Sequence, residues 1–186
     1  MSKFVKITVL LFIAVLAIFL ITGGFMGSNS PMVTVLNVDI NRFMGDWYVI
    51  ANIPTFIERN AVNAVESYAL REDGDVDITF TFSDKTPEGE KKEYTALGFI
   101  NDRETNAEWR VQFFWPIKFP YKVIGLDVDY TYTVIGVPSR KYVWIMSRTP
   151  RMDEQTYTNI VDLLEKDYGY DKDKIQKVIQ DWRGNE

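Results

Sequence analysis

From Trp47 onward the chain is written in short apolar runs closed by turns, and this spacing constrains the fold more than any other feature. Val76, Ile78, Phe80 and Phe82 alternate with Asp77, Thr79 and Thr81, and Trp109, Val111, Phe113 and Trp115 alternate with Arg110 and Gln112. A period of two puts successive side chains on opposite faces, so both segments read as half-buried strands. Eight such runs follow one another: Trp47 to Ile53, Ala64 to Leu70, Val76 to Phe82, Glu93 to Ile100, Glu108 to Phe114, Lys122 to Leu126, Tyr130 to Val137 and Tyr142 to Arg148. Asp73-Gly74 is a tight-hairpin signal, Pro87-Glu88-Gly89, Asn101 to Asn106 and Pro138-Ser139 mark further turns, and Pro116 and Pro120 are expected to bound a loop. No helical crossover of the kind a parallel sheet needs lies between the runs. The pattern predicts an all-β fold, an eight-stranded up-and-down antiparallel barrel.

Two segments depart from the period of two. Asp153 to Tyr168 places Tyr157, Ile160, Val161 and Leu164 at helical spacing and stops before Gly169, which predicts one amphipathic C-terminal helix. Val143 and Ile145 are apolar on one face of the eighth strand, and Trp144 and Met146 on the other, so the helix is expected outside the barrel over one of these sets. At the N-terminus, Lys3 and Lys6 precede an apolar run from Ile7 to Met26, which as a helix at about 1.5 Å per residue reaches the roughly 30 Å of a hydrocarbon core. Residues 1–27 therefore read as a signal peptide or a membrane anchor, 28–37 as a spacer and 38–186 as the barrel with its helix. In either case the body is exported across the membrane, anchored through residues 7–26 or released after cleavage.

Composition narrows the chemistry. The chain holds neither His nor Cys, which removes Ser-His-Asp and Cys-His nucleophiles, thiol redox centres and the usual zinc sites; no cofactor or metal is expected. Its 26 acidic residues outnumber 21 basic ones, and two of the latter precede every acidic residue, so the body is unsuited to nucleic acid.

Three stretches then carry a resemblance. Phe43-Met44-Gly45-Asp46-Trp47-Tyr48 fits the Gly-x-Trp signature that opens the first strand of lipocalins. Val123 to Tyr130 resembles that family's second conserved region, and Trp144-Ile145-Met146-Ser147-Arg148-Thr149-Pro150 its third. Over roughly Val38 to Trp182 the chain is similar to bacterial lipocalins, outer-membrane lipoproteins related to apolipoprotein D and the plant temperature-induced lipocalins. The resemblance implies that Gly45, Trp47, Asp127 and Arg148 are structural, with Arg148 stacked on Trp47 at the closed end of the barrel, and that the protein works in the cell envelope. Many bacterial lipocalins carry an acylated Cys at the end of the signal peptide. Without Cys that anchor is impossible here; either the apolar run replaces it with a peptide anchor, or the protein is released.

The resemblance also implies a small apolar ligand inside the barrel, a fatty acid or lysophospholipid, held for storage, transport or membrane maintenance rather than turned over. Strand parity assigns the contacts to Phe80, Phe82, Phe113, Trp115, Tyr121, Val123, Tyr132, Trp144 and Met146, with Phe56 as a lid from the loop Ile53 to Ile57. Two other readings remain. An enzyme would need an acidic residue inside the barrel with a raised pKa, for which parity offers Asp77, Glu93 and Asp129, each expected to face water. An interaction module would use Phe56 and Ile57 against a membrane or a second copy of the chain in a homodimer.

Overall fold

In a computed structural model, residues 31–182 are described, and the expectations for the N-terminal apolar run lie outside them. Eight antiparallel strands close on themselves: β1 (Gly45–Ile53), β2 (Ala61–Leu70), β3 (Val76–Asp84), β4 (Lys91–Ile100), β5 (Glu108–Phe114), β6 (Ile117–Leu126), β7 (Tyr132–Gly136) and β8 (Val143–Ser147). Each pairs with the next in sequence, and β1 closes the ring between β2 and β8. The elements and their order match the sequence reading.

Three details do not. Pro116 and Pro120 do not bound a loop: the turn is confined to Trp115-Pro116, a cis peptide, and β6 runs on through Pro120, paired with Arg110. Met32 and Val35 do not form a bare spacer, since Met32 is buried on the outside of the barrel and the Val35 N–H donates to the Val123 carbonyl at 3.0 Å. Finally, a short ninth strand, β9 (Gln176–Lys177), has no counterpart in the sequence reading.

β9 lies where β1 and β2 part. Residues 45–48 of β1 pair with β2, but beyond an irregularity after Val49 the partners of Ala51 and Asn52 on that edge are Lys177 and Gln176. The side-chain amide of Gln180 bridges the gap, donating to the carbonyls of Val49 on β1 at 2.9 Å and Ala64 on β2 at 3.0 Å. Asn63, with φ of 54°, exchanges two bonds with the Asp181 backbone, and its own N–H donates to Ile179. The two strands are thus sewn together by the chain that follows the helix, which satisfies backbone groups the sheet ladder leaves open.

Two apolar layers hold the fold. The inner one includes Trp47, Tyr68, Val76, Trp109, Val123, Ile135 and Met146, and the outer one joins Ala51, Val134, Val143 and Ile145 to Ile160 and Leu164 of the helix α2 (Glu154–Lys166). β8 therefore sends Trp144 and Met146 inward and Val143 and Ile145 to the helix, because its two faces are both apolar. Asp153 caps α2, its carboxylate accepting from the Thr156 N–H at 2.9 Å.

A one-turn helix, α1 (Ile40–Phe43), seals one end of the barrel, with Phe43 fully buried and Asp39 as its cap. Arg148 sits with its guanidinium 3.7 Å from the Trp47 ring centroid and donates to the carbonyls of Asp46 (2.8 Å), Arg42 (2.6 Å), Met44 (2.9 Å) and Phe43 (3.1 Å). Gly45 has φ of +91°, and a β-carbon there would stand 3.5 Å from the same guanidinium. Asp127 accepts from the hydroxyl and N–H of Thr131 and the N–H of Asp129; these bonds, the hydroxyl first, hold its carboxyl below the usual range. It is a loop-binding carboxylate.

Candidate functional site

The inner layer fills only the sealed half of the barrel. Rings climb through it: Phe43 contacts Trp47, Tyr68 and Trp109; Trp109 stacks with Tyr121 at 5.9 Å, and Tyr121 lies 6.1 Å from Trp144. Above Tyr121 the packing opens into a cavity of about 510 Å³. Its walls are Ile78 and Phe80 from β3, Tyr94 and Ala96 from β4, Val111 and Phe113 from β5, Phe119 and Tyr121 from β6, and Trp144 from β8. Thr55, Ile57 and Glu58 from the loop after β1, Glu66 from β2, Pro120 from β6, and Val137, Pro138, Ser139, Lys141 and Tyr142 before β8 complete it.

Of the ten residues expected to contact a ligand, nine by parity and Phe56 as a lid, Phe80, Phe113, Tyr121 and Trp144 line this cavity. Val123 and Met146 point inward but lie in the filled half, fully buried. Phe82 is also inward and buried; it backs the wall, tilted on Phe80 at 5.2 Å and stacked on Tyr94 at 6.1 Å. The inward placement of two others is corrected. Trp115 is 86% exposed, because the β5–β6 register shifts between Val111 and Phe114 and the strand ends before it, so the parity carried from Trp109 is lost. Tyr132 packs against the outer layer beneath α2, and the inward residues of β7 are instead Thr133 and Ile135. Phe56 is half exposed with Arg59 over its ring, and its neighbour Ile57 takes the lining position.

Parity missed the polar part of the site. Asp77, Glu93 and Asp129 all face solvent, as expected. The carboxylates inside are others, Glu58 and Glu66, each only 7% exposed and both lining the cavity. Glu58 accepts from the Trp144 indole at 2.7 Å and the Thr55 N–H at 2.6 Å. One Glu66 oxygen and the hydroxyls of Tyr68 and, at 3.0 Å, Tyr121 lie mutually within hydrogen-bonding distance; the two phenols have one proton each to donate, so the third contact of the set is made only when Glu66 itself is protonated. Burial disfavours the charged form of both. The Glu66 carboxyl is pushed up to about 7, with the Glu58 charge adding to the effect of burial against the tyrosine bonds. Glu58 is raised for the same first reason, and the phenols of Tyr68 and Tyr121 are driven well above their usual range by burial and then by Glu66. The signal for Glu66 was present in Ala64-x-Glu66-x-Tyr68, whose flanking residues are inward-facing and buried. Glu58 lies in a loop, where no period applies.

The geometry describes a container open at one end, apolar on its walls and polar at one patch. Comparison with known proteins agrees. The family model for a lipocalin-like domain matches residues 38–180. The chain is 32% identical over 164 residues to temperature-induced lipocalin-1 of Arabidopsis thaliana, covering 83% of this chain and 86% of that protein. It is 31% identical over 168 residues to outer membrane lipoprotein Blc of Citrobacter freundii, covering 90% and 94%. Among solved structures, insecticyanin from the tobacco hornworm Manduca sexta superposes with a TM-score of 0.63 at 17% identity, covering 87% of this chain and 89% of that one. The matched domain, the closed eight-stranded barrel and the interior cavity together place the chain in the lipocalin family, whose members bind small hydrophobic ligands and are carriers rather than enzymes.

Proposed function

We propose that the barrel holds an acyl-chain lipid, a fatty acid or lysophospholipid, for storage, transport or membrane maintenance in the cell envelope. The observation that carries this reading is the 510 Å³ cavity walled by Ile78, Phe80, Val111, Phe113, Phe119 and Trp144. Burying about twelve methylenes at ~0.8 kcal/mol each gives a gross drive of roughly 10 kcal/mol, before association and ordering costs. The chain inserts along the aromatic wall, and its headgroup stays at the mouth beside Ser139 and Lys141.

The cell envelope is supported by relatives named as outer-membrane lipoproteins. Here the apolar run of residues 7–26 supplies the export signal or the anchor, since no Cys is present to be acylated. Membrane contact through that run and pairing of two copies belong to the same proposal.

A fluorescent fatty acid titrated into the full-length protein tests it. Trp144 lines the cavity, so saturable quenching of tryptophan emission is expected and should shrink in Trp144→Phe. No saturation up to about millimolar ligand overturns the reading.

A further inference from the structure

Glu58 and Glu66 are unusual company for an acyl chain. Both lie in the wall of the cavity, and among the described residues neither forms an ion pair with a lysine or arginine. Their partners are neutral donors: the Trp144 indole and Thr55 N–H for Glu58, the Tyr68 and Tyr121 hydroxyls for Glu66. Buried charges in proteins are normally paired, and an unpaired one is costly. Here both carboxylates border the ligand cavity, so a group bound there stands beside them.

We propose that Glu58 and Glu66 form a cation-accepting subsite within the lipid cavity, so that the barrel takes long-chain amines in preference to carboxylates of the same length. The inference rests on the cavity being a lipid site and names which polar group the interior receives. An alkyl ammonium brings the missing positive charge to the carboxylates while its chain lies along the apolar wall. Around it stand Tyr121, Tyr142 and Trp144, with adjacent ring centroids 6.1 and 6.3 Å apart, and aromatic faces attract a desolvated cation. A carboxylate in the same place meets like charge, so a fatty acid keeps its headgroup at the mouth near Lys141 and gains nothing from the subsite.

The groups facing the pair are known on every side. Tyr68 and Tyr121 bond Glu66, Tyr94, Tyr142 and Lys141 line the cavity, and Arg59 follows Glu58 in the loop. When an ammonium displaces the proton of Glu66, the carboxylate and the ammonium remain as a pair and one proton leaves to solvent. Amine affinity therefore rises with pH through the range in which Glu66 ionises, which the direction of its shift places near neutrality.

Dodecylamine, dodecan-1-ol and dodecanoate, titrated into the full-length protein at pH 8 with tryptophan emission as readout, test this. The amine is expected to bind at least about ten-fold more tightly than the carboxylate, a ratio that narrows by about ten-fold in Glu66→Gln or Glu58→Gln. The second variant sits in a loop and serves if the first disturbs the barrel. An amine-to-carboxylate ratio near one in the unmodified protein, or a ratio unchanged in both variants, overturns the inference while saturable binding of the alcohol leaves the lipid site standing. Failure of all three to saturate overturns the lipid site and this subsite together.

Discussion

Glu66 makes the barrel less stable as the solution becomes more basic, the reverse of what an ion-paired surface carboxylate does. Its carboxyl rises from an ordinary 4.5 to about 7 in the folded chain, chiefly by burial. Between those values the folded chain keeps a proton that the unfolded chain has released, so stability is greatest below the window and falls as pH rises through it. The full penalty above the window is about 3 kcal/mol, and Glu58 acts in the same direction. Denaturant unfolding should accordingly show a higher midpoint at pH 5 than at pH 8, with the difference reduced in Glu66→Gln; an equal difference in the variant contradicts this role. The same residue shows how far single positions can be read from sequence. Alternation through Ala64, Glu66 and Tyr68 points Glu66 inward, but a charged side chain is ordinarily assigned to solvent, and burial against two tyrosine hydroxyls is visible only when β2 and β6 are brought together. Trp115 failed for the opposite reason, since a regular alternation was extended past the point where β5 ends.

The elements were more legible than the residues. Each strand carries its own apolar period, and turn residues such as Asp73-Gly74 separate them, so both existence and order follow from local sequence. Helix α2 was equally plain, because Tyr157, Ile160, Val161 and Leu164 share one face and that face meets the outer side of β8. β8 thus separates two environments: Trp144 belongs to the cavity, and Ile145 belongs to the helix contact. Leu164→Ala, at a fully buried position in that contact, should cost about 3 kcal/mol of unfolding free energy while leaving lipid affinity within about two-fold. Parallel denaturation and fluorescence titrations measure both, and a large loss of affinity would show that the two sides of β8 are coupled. What local sequence did not reveal was β9, whose two residues have no apolar period and are held by partners 126 and 124 positions earlier, Ala51 with Lys177 and Asn52 with Gln176 counted along the chain.

At the scale of the whole molecule, the barrel is closed by two kinds of contact. Most of the ring is hairpin pairing between neighbours in sequence, but the seam between β1 and β2 depends on Gln180, Asn63 and the Asp181 backbone. Gln180→Leu removes both amide bonds to the Val49 and Ala64 carbonyls and should cost about 1 to 2 kcal/mol. Hydrogen exchange is expected to quicken at Ile50 to Asn52 and at Asn63 before it does in β4 or β5; uniform quickening would mean that the seam is not a separate weak point. β1 also pairs with β8, so the strand that opens the barrel waits for partners at the far end of the fold. Hairpins β2 to β7 can form in the order in which they are synthesised, whereas the wall that separates cavity from solvent is finished only after residues 176–182 have been added. Until then Ala51 and Asn52 of β1 lack their partners on one edge, and the ring of strands has a gap at that point.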